Sequence, residues 1–99
     1  MLHLLCLTYT GSEADAELYV AGHVAFLERH HRAGTFLLSG QTVPSGDGGV
    51  IVARGADREA IERIAAEDPL VASGAAVYTV TTVDPARAHP DLAGLLGGA

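Results

Sequence analysis

Apolar residues fill most positions from Leu2 to Tyr9 (LHLLCLTY), and Thr10-Gly11-Ser12 closes the run. So dense a stretch suits a buried strand. From about Asp15 to Ala33 the spacing changes. Ala16, Tyr19, Val20, His23, Val24, Phe26, Leu27 and His31 fall on one broad helical face, with Glu17, Glu28 and Arg32 away from its centre. Gly34 suits the end of that helix. Residues 35 to 42 (TFLLSGQT) read as a second strand, PSGDGG at 44 to 49 as a hairpin turn, and VIVAR at 50 to 54 as a third strand. Asp57 starts a second helix that places Ala60, Ile61, Ile64 and Ala65 on one face, with Arg58, Glu59, Glu62 and Arg63 outside. After a turn at Asp68-Pro69, AAVYTVTTV at 75 to 83 forms a β-branched fourth strand.

The order β-α-β-β-α-β is the ferredoxin-like arrangement of an α+β domain, an antiparallel sheet with two helices on one face. The domain spans residues 1–83. Residues 84–99 form a tail that is loose or packed on a partner subunit. The strands carry apolar side chains on both faces, and two helices cover only one. The tail, ending in LAGLLGGA, is too short and glycine-rich to cover the other. A homodimer or higher homo-oligomer, joined through the bare sheet faces, resolves this.

Composition narrows the classes. An apolar share of 48% excludes a disordered chain. Six Arg, no Lys and a net charge of -6 offer no clustered cations for a nucleic-acid backbone. MLHLLCL is too short to span a bilayer and lacks a positively charged flank, so neither a membrane nor a secretory route is expected. One cysteine, Cys6, allows no internal disulfide, and a cytoplasmic location follows by default.

The chemistry converges on AEDPLVASG at 66 to 74. Asp68 before Pro69 is an ordinary helix start, an N-cap followed by proline at the first helical position. It can also face His23, because both helices lie on the same side of a ferredoxin-like sheet. A carboxylate about 3 Å from an imidazole fixes its tautomer and makes the other ring nitrogen a better base. Both roles fit one residue only where separate carboxylate oxygens serve them. His30 and His31, in ERHHR, suit surface positions at a helix C-terminus. His3 lies on the first strand and His89 in the tail. No histidine pair has the i,i+4 spacing of a helical zinc site, so no metal is expected. Ser39-Gly40 closes the second strand: Gly40 permits close approach, and Ser39 offers a hydroxyl without a nucleophile elbow around it. Tyr9 and Tyr78, on the first and fourth strands, either line a pocket or merely pack.

Together MLHLLCLTY, HVAFLERHHRAG, TFLLSGQ, the 50–74 block and AVYTV resemble the YciI-like (YCII-related) family, over nearly the whole chain to Val83. The resemblance implies a dimeric α+β barrel. It also implies that the histidine opening the second block, His23, and the aspartate before proline, Asp68, are the proposed active-site pair. Relatives include a dehydrochlorinase of a chlorinated hydroxyquinol, and the wider superfamily includes muconolactone isomerases. Many relatives carry an arginine shortly before the histidine and an aromatic after the Asp-Pro. Here Tyr19, Val20, Ala21 and Gly22 precede His23, and Leu70 follows Pro69.

The expectation is a small enzyme without a cofactor, an isomerase or lyase acting on an aromatic or enolisable molecule. His23 is its base, Asp68 the orienter, Ser39 a polar contact, and Tyr9, Tyr19, Gly40 and Leu70 walls of the substrate site. The alternatives are a non-catalytic small-molecule binding or accessory protein, and a structural domain in which His23 and Asp68 merely pack.

Overall fold

The computed structural model describes residues 1–44 and 48–96. The centre of the expected PSGDGG turn, residues 45–47, lies outside them. In chain order the elements are β1 (Leu2–Tyr9), α1 (Glu13–Ala16), a 3₁₀ turn (Glu17–Tyr19), α2 (Val20–Arg32), β2 (Phe36–Gln41), β3 (Gly48–Arg54), α3 (Arg58–Ala65), α4 (Pro69–Ala72), β4 (Ala76–Val83) and α5 (Pro90–Ala93). The strands form one antiparallel sheet in the order β2-β3-β1-β4, the ferredoxin-like topology.

One expectation is corrected here: the sheet is not closed into a barrel. β2 and β4 are its free edges, at opposite ends of the strand order, and no ladder joins them among the described residues. Closure needs a continuous hydrogen-bonded circuit around tilted strands. Four strands with two free edges leave an open sheet.

Local chemistry explains most of the elements. Asp57 caps α3 by accepting a hydrogen bond from the Ala60 amide at 2.8 Å. Beyond α2, Gly34 adopts a left-handed φ of 84°, and its amide reaches the His31 carbonyl at 3.0 Å. The first helical stretch is not continuous as expected. It tightens into the 3₁₀ turn at residues 17–19, where side chains three apart eclipse. Ala16 and Tyr19 can thus pack on the same cluster as Leu7, Leu70 and Ala76. The third strand is longer than expected, because Gly48 and Gly49 continue the ladder opposite Thr8 and Leu7. A side chain at Gly48 would place its Cβ only 2.6 Å from the Leu7 carbonyl oxygen.

The main core joins Leu5, Phe36, Ile51 and Ala53 of the sheet to Phe26, Ile61 and Ala65 of the helices. Burying one such leucine, isoleucine or phenylalanine contributes about 1.5–3 kcal/mol. This packing fixes α2 and α3 on one face. His3 also belongs to the interior: its ring nitrogens reach Thr82 Oγ1 at 3.0 Å and the Ala56 carbonyl at 2.8 Å, so it is satisfied structurally. On the opposite face, Leu4 sits between Val52 and Thr81, and Cys6 between Val50 and Thr79. No helix among the described residues is long and apolar enough to cross a membrane.

Candidate active site

Gly22 and Pro69 set the site by standing face to face. A Cβ on Gly22 would lie 2.8 Å from Pro69 Cγ, so α2 and α4 pack there with no room for a side chain. The next residue on α2 is His23, and the residue before Pro69 is Asp68. Close helix packing brings the imidazole to the carboxylate, with His23 Nδ1 at 2.7 Å from Asp68 Oδ2.

Asp68 is fully buried, and its two oxygens divide the work. Oδ1 accepts from the Leu70 amide at 3.0 Å and caps α4. Oδ2 accepts from His23 and also from the Tyr78 hydroxyl at 2.6 Å. Burial pushes the Asp68 carboxyl upward. The hydrogen bonds from His23, Tyr78 and the Leu70 amide, with the attraction of His23, outweigh burial and hold it below its ordinary value. Tyr78 is pushed well above the usual phenol range, by burial first and then by its bond to Asp68, the carboxylate charge and Tyr9. Its proton therefore stays on oxygen, and the phenol acts as a fixed donor.

With a carboxylate acceptor at Nδ1, the hydrogen-bond network assigns the neutral ring its proton there. Nε2 then carries the basic lone pair, and it has no hydrogen-bond partner among the described residues. His23 lines a cavity of about 280 Å³ between α2 and the sheet. α2 supplies Val20, His23, Val24 and Leu27; β1 supplies Leu7 and Tyr9; Leu70 and Tyr78 close one side. Ser39, Gly40 and Gln41 face them from β2, with Gly48 to Ile51 from β3. A single substituted ring fits such a volume, since a cavity of roughly 150 Å³ holds benzene. Among the described residues, no Asp, Glu, Lys or Arg side chain lines the cavity.

Residues 1–84 match the YCII-related domain. The chain belongs to the YCII-related family. Comparison with curated proteins finds no match. Among solved structures, the 5-chloro-2-hydroxyhydroquinone dehydrochlorinase from Burkholderia phenoliruptrix AC1100, in complex with 2,5-dihydroxybenzoquinone, is similar with a TM-score of 0.71. The two share 19% identity over 85% of this chain and 94% of that one, a likeness of fold.

In this YCII-related protein, His23 meets Asp68, and Tyr9, Ser39, Gly40 and Leu70 line the same cavity. Tyr19 does not line it. The 3₁₀ turn carries Tyr19 to the second core cluster, beside a surface depression with Thr10, Gly11 and Ser73. The Ser39 hydroxyl is engaged by His31 Nε2 at 2.8 Å, so His31 is no mere surface cap. His30 likewise turns inward: it packs edge-on to Phe26 and reaches Glu67 Oε1 at 3.0 Å, where Arg29 joins it at 3.1 Å. The hydrogen bond from His30, against a smaller opposing effect of burial, holds the Glu67 carboxyl below its ordinary value.

Tyr78, expected to line a pocket or merely pack, does line the cavity, and its hydrogen bond to Asp68 is what sequence reasoning missed. Its signal is strand alternation: exposed Val77 and Thr79 flank it, which points residue 78 toward the helices. Gln41 and the glycines of β3 were also missed. Gly48 and Gly49 looked like turn residues, yet they lie in β3 and line the cavity, each where an added Cβ would crowd a backbone carbonyl of a neighbouring strand.

Proposed function

We propose that this protein is a cofactor-independent isomerase or lyase in which His23 removes a proton from a small, uncharged aromatic or enolisable molecule. The observation that carries this reading is the 2.7 Å bond from His23 Nδ1 to the buried Asp68, at the wall of a cavity sized for one ring. Nε2 takes a proton from substrate carbon or hydroxyl, and the ring becomes an imidazolium paired with Asp68. The electron pair left behind has two outcomes. It takes the proton back at another carbon, an isomerisation, or it expels a leaving group such as chloride, an elimination.

Asp68 orients the ring, Ser39 and Tyr9 offer polar contacts, and Gly40 and Leu70 shape the walls. Among the described residues the lining carries no Asp, Glu, Lys or Arg, which favours a neutral ligand, because an anion there would lose its water without gaining a cation. The fold likeness to a dehydrochlorinase supports the same class of substrate. The dehydrochlorinase structure also supplies a probe, 2,5-dihydroxybenzoquinone.

The test is a panel of enolisable lactones and halogenated hydroxyquinols, followed by chloride release and by deuterium exchange at substrate carbon. Turnover that falls by about 10²–10⁴ in His23→Ala supports the base. Ligands that bind at the cavity with neither exchange nor turnover make the protein a non-catalytic binder.

The same reading includes a homodimer joined through the uncovered sheet face. Leu38 and Val77, 55% and 49% exposed, stand among half-buried Leu4, Val50 and Val52 there. A second copy is the partner whose apolar face matches it. Sedimentation at micromolar concentration should give twice the 10.2 kDa chain mass, and a well-folded monomer refutes the assembly.

A further inference from the structure

We propose that Tyr78 is a positioning residue of the dyad: by donating to the same Asp68 oxygen that His23 uses, it keeps the carboxylate a weak acceptor that orients the imidazole without taking its proton. The inference rests on reading His23 and Asp68 as the base and its orienter.

The geometry is specific. Tyr78 Oη and His23 Nδ1 lie 2.6 and 2.7 Å from Asp68 Oδ2, while Oδ1 is occupied by the Leu70 amide. Two donors on one oxygen compete for its electron density, and each weakens what the oxygen offers the other. A buried carboxylate with only the imidazole on Oδ2 would be the stronger base. In the imidazolium state the shared proton would then move toward aspartate, and the pair would lose the charge separation that holds the ring in place. Tyr78 opposes that shift.

Three elements packed around Asp68 supply its polar neighbours: His23 from α2, the Leu70 amide from α4 and Tyr78 from β4. The neighbouring Glu67 points elsewhere, to Arg29 and His30. Tyr78 stays a donor, since burial and the Asp68 charge both disfavour the phenolate. Lining the cavity beside His23, it also sits where a ligand would alter its environment.

The experiment is NMR on the full chain: Asp68 ¹³C carboxyl titration and the His23 Nδ1–H proton resonance, in wild type, Tyr78→Phe and Asp68→Asn. Phe keeps the ring and removes only the hydroxyl. The expected result is an Asp68 midpoint that moves upward in Y78F and a His23 Nδ1–H resonance that moves downfield, as its bond strengthens. D68N should instead lose the downfield resonance, which shows that the signal reports the carboxylate. An Asp68 midpoint and a His23 resonance unchanged in Y78F, while D68N abolishes the signal, overturn the role of Tyr78 and leave the dyad standing. A wild-type ring without a proton on Nδ1 overturns the dyad itself, and Tyr78's role with it. Should Y78F fail to fold, biosynthetic 3-fluorotyrosine provides the opposite perturbation at the three tyrosines: a more acidic phenol donates more strongly. The Asp68 midpoint must then fall, and an unmoved midpoint refutes the proposal.

Discussion

Replacing Gly22 by Ala sets two well-calibrated effects against each other. In the interior of an exposed helix the change removes a flexible residue and stabilises by about 1 kcal/mol. Here the added Cβ would arrive 2.8 Å from Pro69 Cγ and 3.3 Å from Pro69 Cβ. A proline ring cannot swing aside, and carbon atoms settle at about 3.5 Å or beyond, so α2 and α4 must part by roughly 0.7 Å. Overpacking of this kind costs about 1–3 kcal/mol, which cancels or exceeds the helix gain. The movement falls on the adjacent pair. A His23–Asp68 bond of 2.7 Å stretched by that amount passes the usual limit of about 3.2 Å. The expected variant is thus neutral to about 2 kcal/mol less stable in urea unfolding. Its His23 Nδ1–H exchanges faster with solvent, and turnover falls although no polar group has been altered. A variant that gains the full helix increment with an unchanged Nδ1–H signal would refute the argument, because the two helices would then not be in contact at this point.

Acid should weaken the protein through Asp68. Its folded pKa lies below its ordinary value of 3.8, so its contribution is complete above that value and lost as pH falls through the lower, folded one. Urea unfolding across pH 2–5 should show this slope in wild type and a shallower one in Asp68→Asn; equal slopes would assign the acid sensitivity elsewhere. Thr82→Val leaves one nitrogen of the buried His3 without its partner and should cost about 1–3 kcal/mol, read by the shift in urea midpoint. Leu5→Ala removes a fully buried side chain at the centre of the main core and should cost about 2–5 kcal/mol in the same assay.

The strand and helix order was legible because each element carries its own period. Strand β1 is densely apolar, α3 shows a clean stripe, and β4 is β-branched. The pairing of His23 with Asp68 was legible for a different reason. Asp before Pro marks a helix start, and both helices of this topology must share one sheet face. What stayed hidden depends on distances that no period encodes. Tyr19 fits the helical stripe of residues 15–33 and leaves it only because the chain tightens for one turn. Tyr78 shows its inward direction, but its reach to Asp68 depends on where α4 begins above β4. The glycines of β3 read as turn because glycine in a strand is uncommon, and the close approach of the Leu7 carbonyl that requires one there is invisible in sequence. The barrel expectation came from family likeness and concerned an assembly, while the chain itself forms an open sheet.

The division of Asp68 between its two oxygens also makes α4 a gauge of the cavity. The Leu70 amide is held by Oδ1 of the carboxylate whose Oδ2 holds His23, so any opening that frees this amide must also disturb the imidazole. Amide exchange at Leu70 therefore measures how often the dyad comes apart. A ligand that binds only the assembled pair must slow that exchange by a factor of about 1 + [L]/Kd. One backbone proton, followed in the intact protein, can rank candidate ligands before any of them is known to react.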